Sequence, residues 1–418
     1  MANSDSPIAW YGSSSAGDRR TFWACFGGWT LDALNFFIFF YAFSSVLKVV
    51  FAISPKEAWY FTLLPAIASA IGGWAAGALS DRYGRVRILQ ITILWFAAFT
   101  LLCAVAQDHW QLLTFRTLMG FGLGGEWAVG AALLGETIRA KDRGKAVGTM
   151  ESGWGIGWGL TAIIAIPILF YLPQYVGWRV LFCIGLLPAL LVFYLRRHID
   201  DAPVFKETQK KLAAKKQKSN FLEIFSPSLL KTTALTTLLT IGVYGGYFAT
   251  SELVTLMRNE QKVEVMASRW YTTGLIVASI VGYLASAYLN DRIGRRMNFL
   301  LFAACSAVGV FALTFLTLKD MSTIILFFVV FFFASGTFSG LGPALAENFP
   351  TRIRGSGMGF AYNSGRLIAA IIPWTIVALS ARSPMGRSID FVAIVAYGLV
   401  IVAGLLLPET NGKKLSAG

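Results

Sequence analysis

Twelve long apolar stretches run through the sequence, and they constrain the fold more than any other feature. Each has about the 20 residues, or more, that a helix needs to cross the hydrocarbon core of a bilayer. A chain that is 56% hydrophobic and 14% charged is too apolar for an ordinary soluble enzyme. We therefore predict an all-α membrane protein with twelve transmembrane helices. The stretches are 22–50, 56–79, 88–106, 110–138, 145–171, 177–195, 229–256, 267–289, 298–318, 322–346, 356–381 and 387–407.

The formal net charge of +14 is concentrated in the connections that follow even-numbered stretches. In a soluble protein such a charge would suggest a nucleic-acid partner, but this placement indicates membrane topology instead. The positive-inside rule puts these connections and both termini in the cytoplasm, which requires an even number of crossings. The sequence also has no N-x-S/T glycosylation acceptor. We expect a multi-pass protein of a bacterial inner membrane, in contact with lipid and not with nucleic acid.

An internal repeat divides the chain into two halves. GALSDRYGRVR (Gly77–Arg87), after the second stretch, is echoed by AYLNDRIGRRM (Ala287–Met297), after the eighth. Glu136 and Arg143 recur as Glu347 and Arg354, displaced by 211 positions. The repeat predicts two pseudo-symmetric six-helix bundles at 22–197 and 229–407. The remaining segments are tails at 1–21 and 408–418 and a basic connection at 198–228, which is a solvated linker or, as the alternative, a lipid-binding surface.

These motifs resemble those of the major facilitator superfamily, and the resemblance covers nearly the whole chain. The D-R-x-G-R signature begins at Asp81, an R-x-x-x-G-x-G-x-G segment begins at Arg116, and PETNG begins at Pro408. The closest likeness is to proton symporters of organic acids, in the sialate, lactate and aromatic-acid branches. It rests on TLDALNFF in the first stretch, GGEW in the fourth, the sixth stretch from Gly177, and NSGR in the eleventh. The resemblance implies alternating access to a site between the bundles.

Three ionisable residues at membrane depth are candidates for proton coupling: Asp32, Arg116 and Glu126. Charge is expensive inside hydrocarbon, so such residues usually serve a partner or an aqueous path. In the resembling symporters, an aspartate and an arginine at the positions of Asp32 and Arg116 couple protons, and we expect motion that separates them to release or take up a proton. The alternative for Asp32 and Arg116 is a static ion pair that fixes helix packing, and the alternative for Glu126 is a structural pair with a cation elsewhere. A structural role is expected for Glu151.

Substrate binding is assigned to five residues. Arg366 lies near mid-depth in the eleventh stretch, and its planar guanidinium matches a carboxylate with two parallel hydrogen bonds. Its alternatives are a pair with Glu252 or a contact with a kinked backbone. Neutral hydrogen bonds and an amphipathic wall are expected from Asn35, Asn363, Tyr244 and Tyr247. Asn35 and Ala33 depart from the family pattern, which has a second aspartate and a glycine there.

The repeated motifs at the basic connections are expected to form a gate of charge networks. Asp81 would pair with Arg85 and Glu136 with Arg143, and the second half would repeat this arrangement. Breaking the networks should favour the state that is open to the cytoplasm. The gating residues are Gly77, Asp81, Arg82, Arg85, Glu136, Arg143, Asp291, Arg292, Arg295, Glu347 and Arg354.

The combined interpretation is a secondary active transporter that takes up a small organic acid anion, such as lactate, sialic acid or an aromatic acid, by proton symport. It is expected to act as a monomer, with protons as coupling ions and no other cofactor or metal. A proton-coupled sugar symporter is the nearest alternative, suggested by PETNG and by Asp32 with Arg116. A non-transporting membrane sensor is the alternative from another class. No nucleophile with a base and no metal set is visible in the sequence, so an enzyme is not expected.

Overall fold

The protein is described by a computed structural model over residues 9–259, 269–316 and 321–415. Within these ranges the regular structure is helical and contains no strand. Residues 1–8 and 416–418 of the expected tails, 267–268 of the eighth stretch and 317–318 of the ninth lie outside them. We number the membrane helices α1 (Ala16–Val50), α2 (Pro55–Tyr83), α3 (Arg85–Ala104), α4 (His109–Thr137), α5 (Arg143–Tyr171), α6 (Gln174–Ile184 and Leu187–His198), α7 (Leu230–Asn259), α8 (Arg269–Ile293), α9 (Arg295–Phe315), α10 (Met321–Ser339 and Leu341–Asn348), α11 (Arg354–Ala369 and Ile372–Ser380) and α12 (Met385–Leu406).

The predicted number of spanning helices is confirmed. By length and composition, eleven of the described helices are suited to cross a membrane. The remaining one, α7, has 30 residues and is longer than the hydrocarbon core, but it is rich in threonine. Thr236, Thr240 and Thr250 are buried, and each hydroxyl donates to a carbonyl one turn earlier in the helix. Those hydrogen bonds satisfy the polar side chains within the bundle.

The helices pack in two bundles with equivalent neighbours. In the first half α2 and α3 pack against α4, and α1 packs against α5. In the second half α8 and α9 pack against α10, and α7 packs against α11. The halves meet along two pairs of helices, α2 with α11 and α5 with α8. The predicted two-bundle architecture is therefore confirmed.

Close helix crossings explain the glycines of α4. A Cβ atom at Gly120 would lie 2.6 Å from the carbonyl oxygen of Pro65, and one at Gly124 would lie 1.8 Å from that of Ser69. Both carbonyls belong to α2. Side chains at these two positions would force α2 and α4 apart, so small residues are needed for the contact.

The glycines of α5 serve two different neighbours. A Cβ at Gly153 or Gly157 would collide with Thr30 of α1. A Cβ at Gly155 would instead meet Ile280 of α8, in the other bundle. Helix α5 is thus held closely on one side within its own bundle and on the other side at the bundle interface.

The tight turns of the repeated motif lie at one end of the molecule. We call this end the basic face; it comprises the connections at 82–87, 139–145, 292–296 and 349–354, the segment 198–228 and the chain after residue 406. Gly84 joins α2 to α3 with φ of +104°, a backbone conformation that favours glycine. The N–H of Val86 donates to Oδ1 of Asp201 at 2.9 Å, which caps the start of α3. Burial raises the pKa of the Asp201 carboxyl.

The second half repeats this cap with residues near the end of the chain. Gly294 has φ of +91°, and the N–H groups of Arg295 and Arg296 donate to the Glu409 carboxylate at 3.1 and 3.0 Å. Partial burial alone would raise the pKa of Glu409, but these backbone donors hold it below its ordinary value. The glutamate of the PETNG motif is therefore a helix cap for α9.

Candidate transport site

Asp32 and Glu126 form a carboxyl pair inside the first bundle. Asp32 is fully buried on α1, Glu126 is 3% exposed on α4, and the two groups are close enough to share a hydrogen bond. Gly28, one turn before Asp32, leaves the space for Glu126, because a Cβ there would lie 2.5 Å from Glu126 Oε1. Among the described residues, none of the four carboxyl oxygens accepts from an N–H or hydroxyl donor. A proton between the two carboxyl groups would satisfy both.

Arg116 lies apart from this pair. It is ten residues before Glu126 on the same helix, a separation of about 15 Å. Its guanidinium lies over the ring of Phe39 at 4.1 Å, and Nη1 contacts Met119 Sδ at 3.4 Å. The structure therefore differs from the expected proximity of Asp32 and Arg116. Glu126 is the neighbour of Asp32, and aromatic faces hold the cation through cation–π attraction.

Arg366 is a cation without an ion-pair partner in the described part of the chain. It lies on α11, four residues before the helix is interrupted at Ala370–Ile371, and it is partly exposed. Nη1 reaches Ser69 Oγ of the other bundle at 3.4 Å, and no ion pair with Glu252 is formed. Asp32 and Arg116 both interact electrostatically with Arg366. Arg366 of the second bundle is therefore within electrostatic range of both charged residues of the first bundle.

The two asparagines are engaged with backbone. Asn35 Nδ2 donates to Leu31 O at 3.2 Å and to Gly185 O at 3.3 Å, where α6 is interrupted. Asn363 Nδ2 donates to Gly124 O at 3.0 Å, which joins α11 to α4 across the interface. Each keeps one buried amide oxygen without a donor in the described residues. Both residues therefore hold helices together, and Asn35 lies within the first bundle rather than beside Arg366.

A continuous cluster of aromatic ring contacts links the first bundle to the second. In the first bundle Trp154 contacts Trp29 at 4.8 Å and Phe36 at 5.3 Å between ring centroids, and Trp158 stacks on Phe37 at 5.1 Å. The cluster comprises Trp29, Phe36, Phe37, Trp127, Trp154, Trp158, Tyr244, Tyr247, Phe331, Phe338 and Tyr362.

The aromatic cluster continues into the second bundle and returns to the first. Tyr247 contacts Phe331 and Phe338, each at 5.4 Å, and Tyr244 contacts Phe338 at 4.9 Å. Tyr362 of α11 stacks on Trp127 of α4 at 3.3 Å with an interplanar angle of 10°. The predicted residues Tyr244 and Tyr247 therefore lie in an aromatic wall, and the Trp127–Tyr362 stack joins the two bundles.

The basic face is closed by a buried charge network on the side of α2 and α11. Asp81 accepts from Arg85 Nη1 at 2.5 Å and from two backbone N–H groups in the first turn of α11 at 2.9 and 2.7 Å. Glu136 accepts from Arg85 Nη2 at 3.1 Å and from Arg354 Nη1 at 2.7 Å. Since Arg354 belongs to the second bundle and Glu136 to the first, this network joins the halves.

The second half carries the equivalent network. Asp291 accepts from Arg295 Nη1 at 2.6 Å and from two N–H groups in the first turn of α5 at 2.9 and 2.7 Å. Glu347 accepts from Arg295 Nη2 and from Arg143 Nη1, both at 2.9 Å. The expected pairs within each repeat are therefore correct for aspartate and wrong for glutamate. The pseudo-twofold arrangement places each of Arg143 and Arg354 over the glutamate of the opposite bundle.

The other expected gate residues lie beside the networks. Gly77 allows α2 to cross α11, because a Cβ there would lie 2.2 Å from Gly355 O. Arg82 and Arg292 are exposed, and Arg292 donates to the hydroxyl of Tyr288 at 2.9 Å. These two arginines therefore do not join the buried networks.

Segments after each bundle cover the networks. Gln209, in the helix Pro203–Ala214 that follows α6, donates to Asp81 O at 2.7 Å. After α12, the hydroxyl of Thr410 donates to Glu347 Oε2 at 2.6 Å. The ion pairs are thereby shielded from water at the basic face.

The family model of the Major Facilitator Superfamily matches residues 25–373 and 243–415. The chain belongs to the major facilitator superfamily. It is 39% identical over 407 residues to a probable 4-methylmuconolactone transporter of Cupriavidus pinatubonensis, covering 97% of this chain and 94% of the relative. It is 27% identical to the sialic acid transporter NanX of Escherichia coli, with 96% and 97% covered. The fold is similar to that of the proton:xylose symporter XylE, with a TM-score of 0.74, 18% identity, and 96% and 98% covered.

These comparisons confirm the family and the organic-acid branch that the motifs indicated. They also identify the protein as a multi-pass transporter of the superfamily and not an enzyme. One feature of the site was missed at the sequence level. Trp127 links Glu151 to the other bundle, since its indole N–H donates to Glu151 Oε1 at 2.6 Å while its ring stacks on Tyr362. The GGEW motif contained this tryptophan, but its sequence neighbours do not show which carboxyl it contacts.

Proposed function

We propose that the protein takes up a small, planar organic acid anion together with protons, by alternating access between the two bundles. Both termini and the basic face lie in the cytoplasm of a bacterial cell, and the protein works as a monomer in the inner membrane. Protons are the coupling ions, and no other cofactor takes part. The conformation described above then has its cytoplasmic gate closed.

The unpaired guanidinium of Arg366 is the observation that carries the proposal. A buried or half-buried cation without a carboxylate partner is costly inside a membrane protein, so an anionic ligand is its natural partner. A carboxylate bound by two nitrogens of the Arg366 guanidinium would gain two charge-assisted hydrogen bonds. A neutral sugar would leave the cation unpaired, which argues against the sugar alternative.

The aromatic cluster favours a planar, unsaturated acid over a polyhydroxylated one. Trp154, Trp158 and Tyr247 are partly exposed, and their ring faces offer stacking area to a planar ligand. The relative with the highest identity reported above is described as a probable 4-methylmuconolactone transporter. We therefore rank aromatic and unsaturated acids above sialic acid and lactate as substrates.

The carboxyl pair of Asp32 and Glu126 supports proton coupling. Two carboxylates at hydrogen-bond distance repel when both are ionised, so the pair holds a proton until its surroundings change. Arg366 interacts electrostatically with Asp32, and neutralisation of Arg366 by a bound anion alters the field at the pair. Substrate binding and proton binding are thereby linked, which is the requirement for symport.

Uptake into proteoliposomes tests the substrate. We expect a pH gradient, acid outside, to drive accumulation of benzoate or 4-methylmuconolactone. Benzamide, lactate, sialic acid and xylose should accumulate less or not at all. Arg366→Ala should weaken benzoate binding by about 10- to 150-fold, since hydrogen bonds to charged groups contribute about 1.5–3 kcal/mol. The exposed Arg382→Ala is the matched control. Movement of xylose with no acid transported would contradict the proposal.

A second measurement tests the coupling. Asp32→Asn should retain exchange of labelled for unlabelled acid across the membrane, because exchange needs no net proton movement. It should lose accumulation driven by the pH gradient. The control is Asp200→Asn, whose side chain is 91% exposed at the basic face. Accumulation by Asp32→Asn at the wild-type level would show that this carboxyl does not carry the coupled proton.

A further inference from the structure

A third buried carboxyl, that of Glu151, lies outside both the carboxyl pair and the charge networks. It is on α5, eight residues or about 12 Å from the start of the helix at the basic face, and it is 2% exposed. In the described residues it forms no ion pair, and its Oε1 accepts from the neutral indole of Trp127. A carboxylate buried without a cation is expensive, and packing alone would be served better by an apolar residue.

The groups that face Glu151 come from five helices, and they are neutral aromatic side chains. The two indoles approach from α1 and α4, and three tyrosine hydroxyls interact with it electrostatically from the second bundle. Glu151 therefore lies at the interface between the bundles. These groups are Trp29, Trp127, Tyr244, Tyr283 and Tyr362.

A small cavity lies between Glu126 and the surroundings of Glu151. Its volume is about 10 Å³, which is enough for one water molecule. Its lining includes Glu126 together with Trp29, Trp127 and Met150. The two indoles that border the cavity are the ones beside the Glu151 carboxyl. Glu151 itself does not line the cavity, but its chain neighbour Met150 and the indole that donates to its carboxyl do, so a water molecule there would contact Glu126 and lie beside the surroundings of Glu151.

The three carboxyl groups also lie in order along the direction of transport. Asp32 and Glu126 are near mid-depth in the first bundle, and Glu151 is nearer the basic face and at the interface. Trp127 and Tyr362 belong to opposite bundles, so their stack must separate when the bundles part at the basic face. Separation exposes Glu151 to water that enters from the cytoplasm.

We propose that Glu151 receives the coupled proton from the Asp32–Glu126 pair and releases it to the cytoplasm when the Trp127–Tyr362 stack opens. This inference rests on the proposed proton symport. The Glu126 carboxyl gives its proton to water in the cavity, and when Trp127 moves aside that water gives one of its own protons to the Glu151 carboxylate. No oxidant or other reactant is needed, and one proton moves in total.

Glu151→Gln separates this role from a structural one. The amide oxygen of glutamine still accepts from the indole of Trp127, but the side chain no longer binds and releases a proton. In proteoliposomes we expect exchange of benzoate to stay within about 3-fold of wild type and accumulation driven by the pH gradient to fall by about 10-fold or more, as a broken relay requires. Glu252→Gln, a change of the same kind in α7, should leave both unchanged.

The possible outcomes are distinct. Wild-type accumulation by Glu151→Gln would overturn the relay. If the wild-type protein itself exchanges no acid, the proposed function fails and the relay fails with it. If Glu151→Gln also loses exchange, Trp127→Phe decides, because it removes the indole donor and keeps a ring on Tyr362. The relay then predicts that the midpoint of the pH profile of exchange rises by about one pH unit, and an unchanged midpoint would overturn it.

Discussion

Glu136→Gln should shift the protein towards the state in which the basic face is open. Glu136 is the acceptor for both Arg85 and Arg354, at 3.1 and 2.7 Å, and all three side chains are buried in the closed state. A neutral amide removes the counter-charge and leaves two guanidinium groups facing each other in the interface. In the open state water solvates these groups, so the penalty falls on the closed state alone.

Removing one partner of a buried pair costs about 3–5 kcal/mol. Arg85 retains Asp81, and Arg354 retains a hydrogen bond from Nε to Ala346 O at 2.7 Å, so we take the lower end of that range. A cost of about 3 kcal/mol corresponds to a change of roughly 100-fold in the equilibrium between closed and open states. A protein that is open in about 1% of molecules would become open in about half of them.

Electron–electron distances between two spin labels measure this equilibrium. Labels at Arg87 and Met297, which are exposed at the starts of α3 and α9, report the separation of the bundles at the basic face. The labelled protein should carry Cys183→Ser and Cys305→Ser. Glu207→Gln, in the exposed pair with Lys211, is the matched control and should give the wild-type distances. Equal distance distributions for Glu136→Gln and Glu207→Gln would refute the assigned role of the network.

Two further changes test packing and capping. Gly124→Ala should destabilise the protein by about 1–3 kcal/mol or more, because its Cβ would overlap Ser69 O, and thermal unfolding in detergent should show this; Gly398→Ala, whose Cβ meets nothing within 4 Å, is the control. If the two variants melt alike, the close crossing of α2 and α4 is wrong. Glu409→Gln should lower stability at pH 7. Because the pKa of Glu409 is held below its ordinary value of 4.5, the advantage of the wild-type protein should persist above that value and disappear as the pH falls below it. A difference that stays constant from pH 7 to pH 3 would contradict the capping role.

Local features of the sequence predicted the fold well. Apolar length predicts membrane helices, and a repeat of charged motifs predicts two bundles, because both depend on residues that are close in the chain. The sequence did not predict that Asp201 caps α3 and Glu409 caps α9. Each joins residues more than a hundred positions apart, and no spacing rule connects them.

The sequence predicted which ionisable residues belong to the site but not which residues each of them contacts. Asp32 and Glu126 were chosen because charge is rare inside a membrane, yet their pairing depends on the space at Gly28. Arg116 was expected beside Asp32, but the rings of Phe36 and Phe39 hold it elsewhere. Helix rotation and side-chain rotamers decide these contacts, and a single sequence contains neither directly.

The crossed ion pairs of the basic face are self-complementary. Arg354 of the second half binds Glu136 of the first, while Arg143 of the first binds Glu347 of the second. This is the property of an isologous contact, in which both surfaces carry the same donor and acceptor groups. Two copies of either half, related by a twofold axis, would form the same bonds. The charges of the basic face alone therefore do not distinguish a pairing of unlike halves from a pairing of like halves.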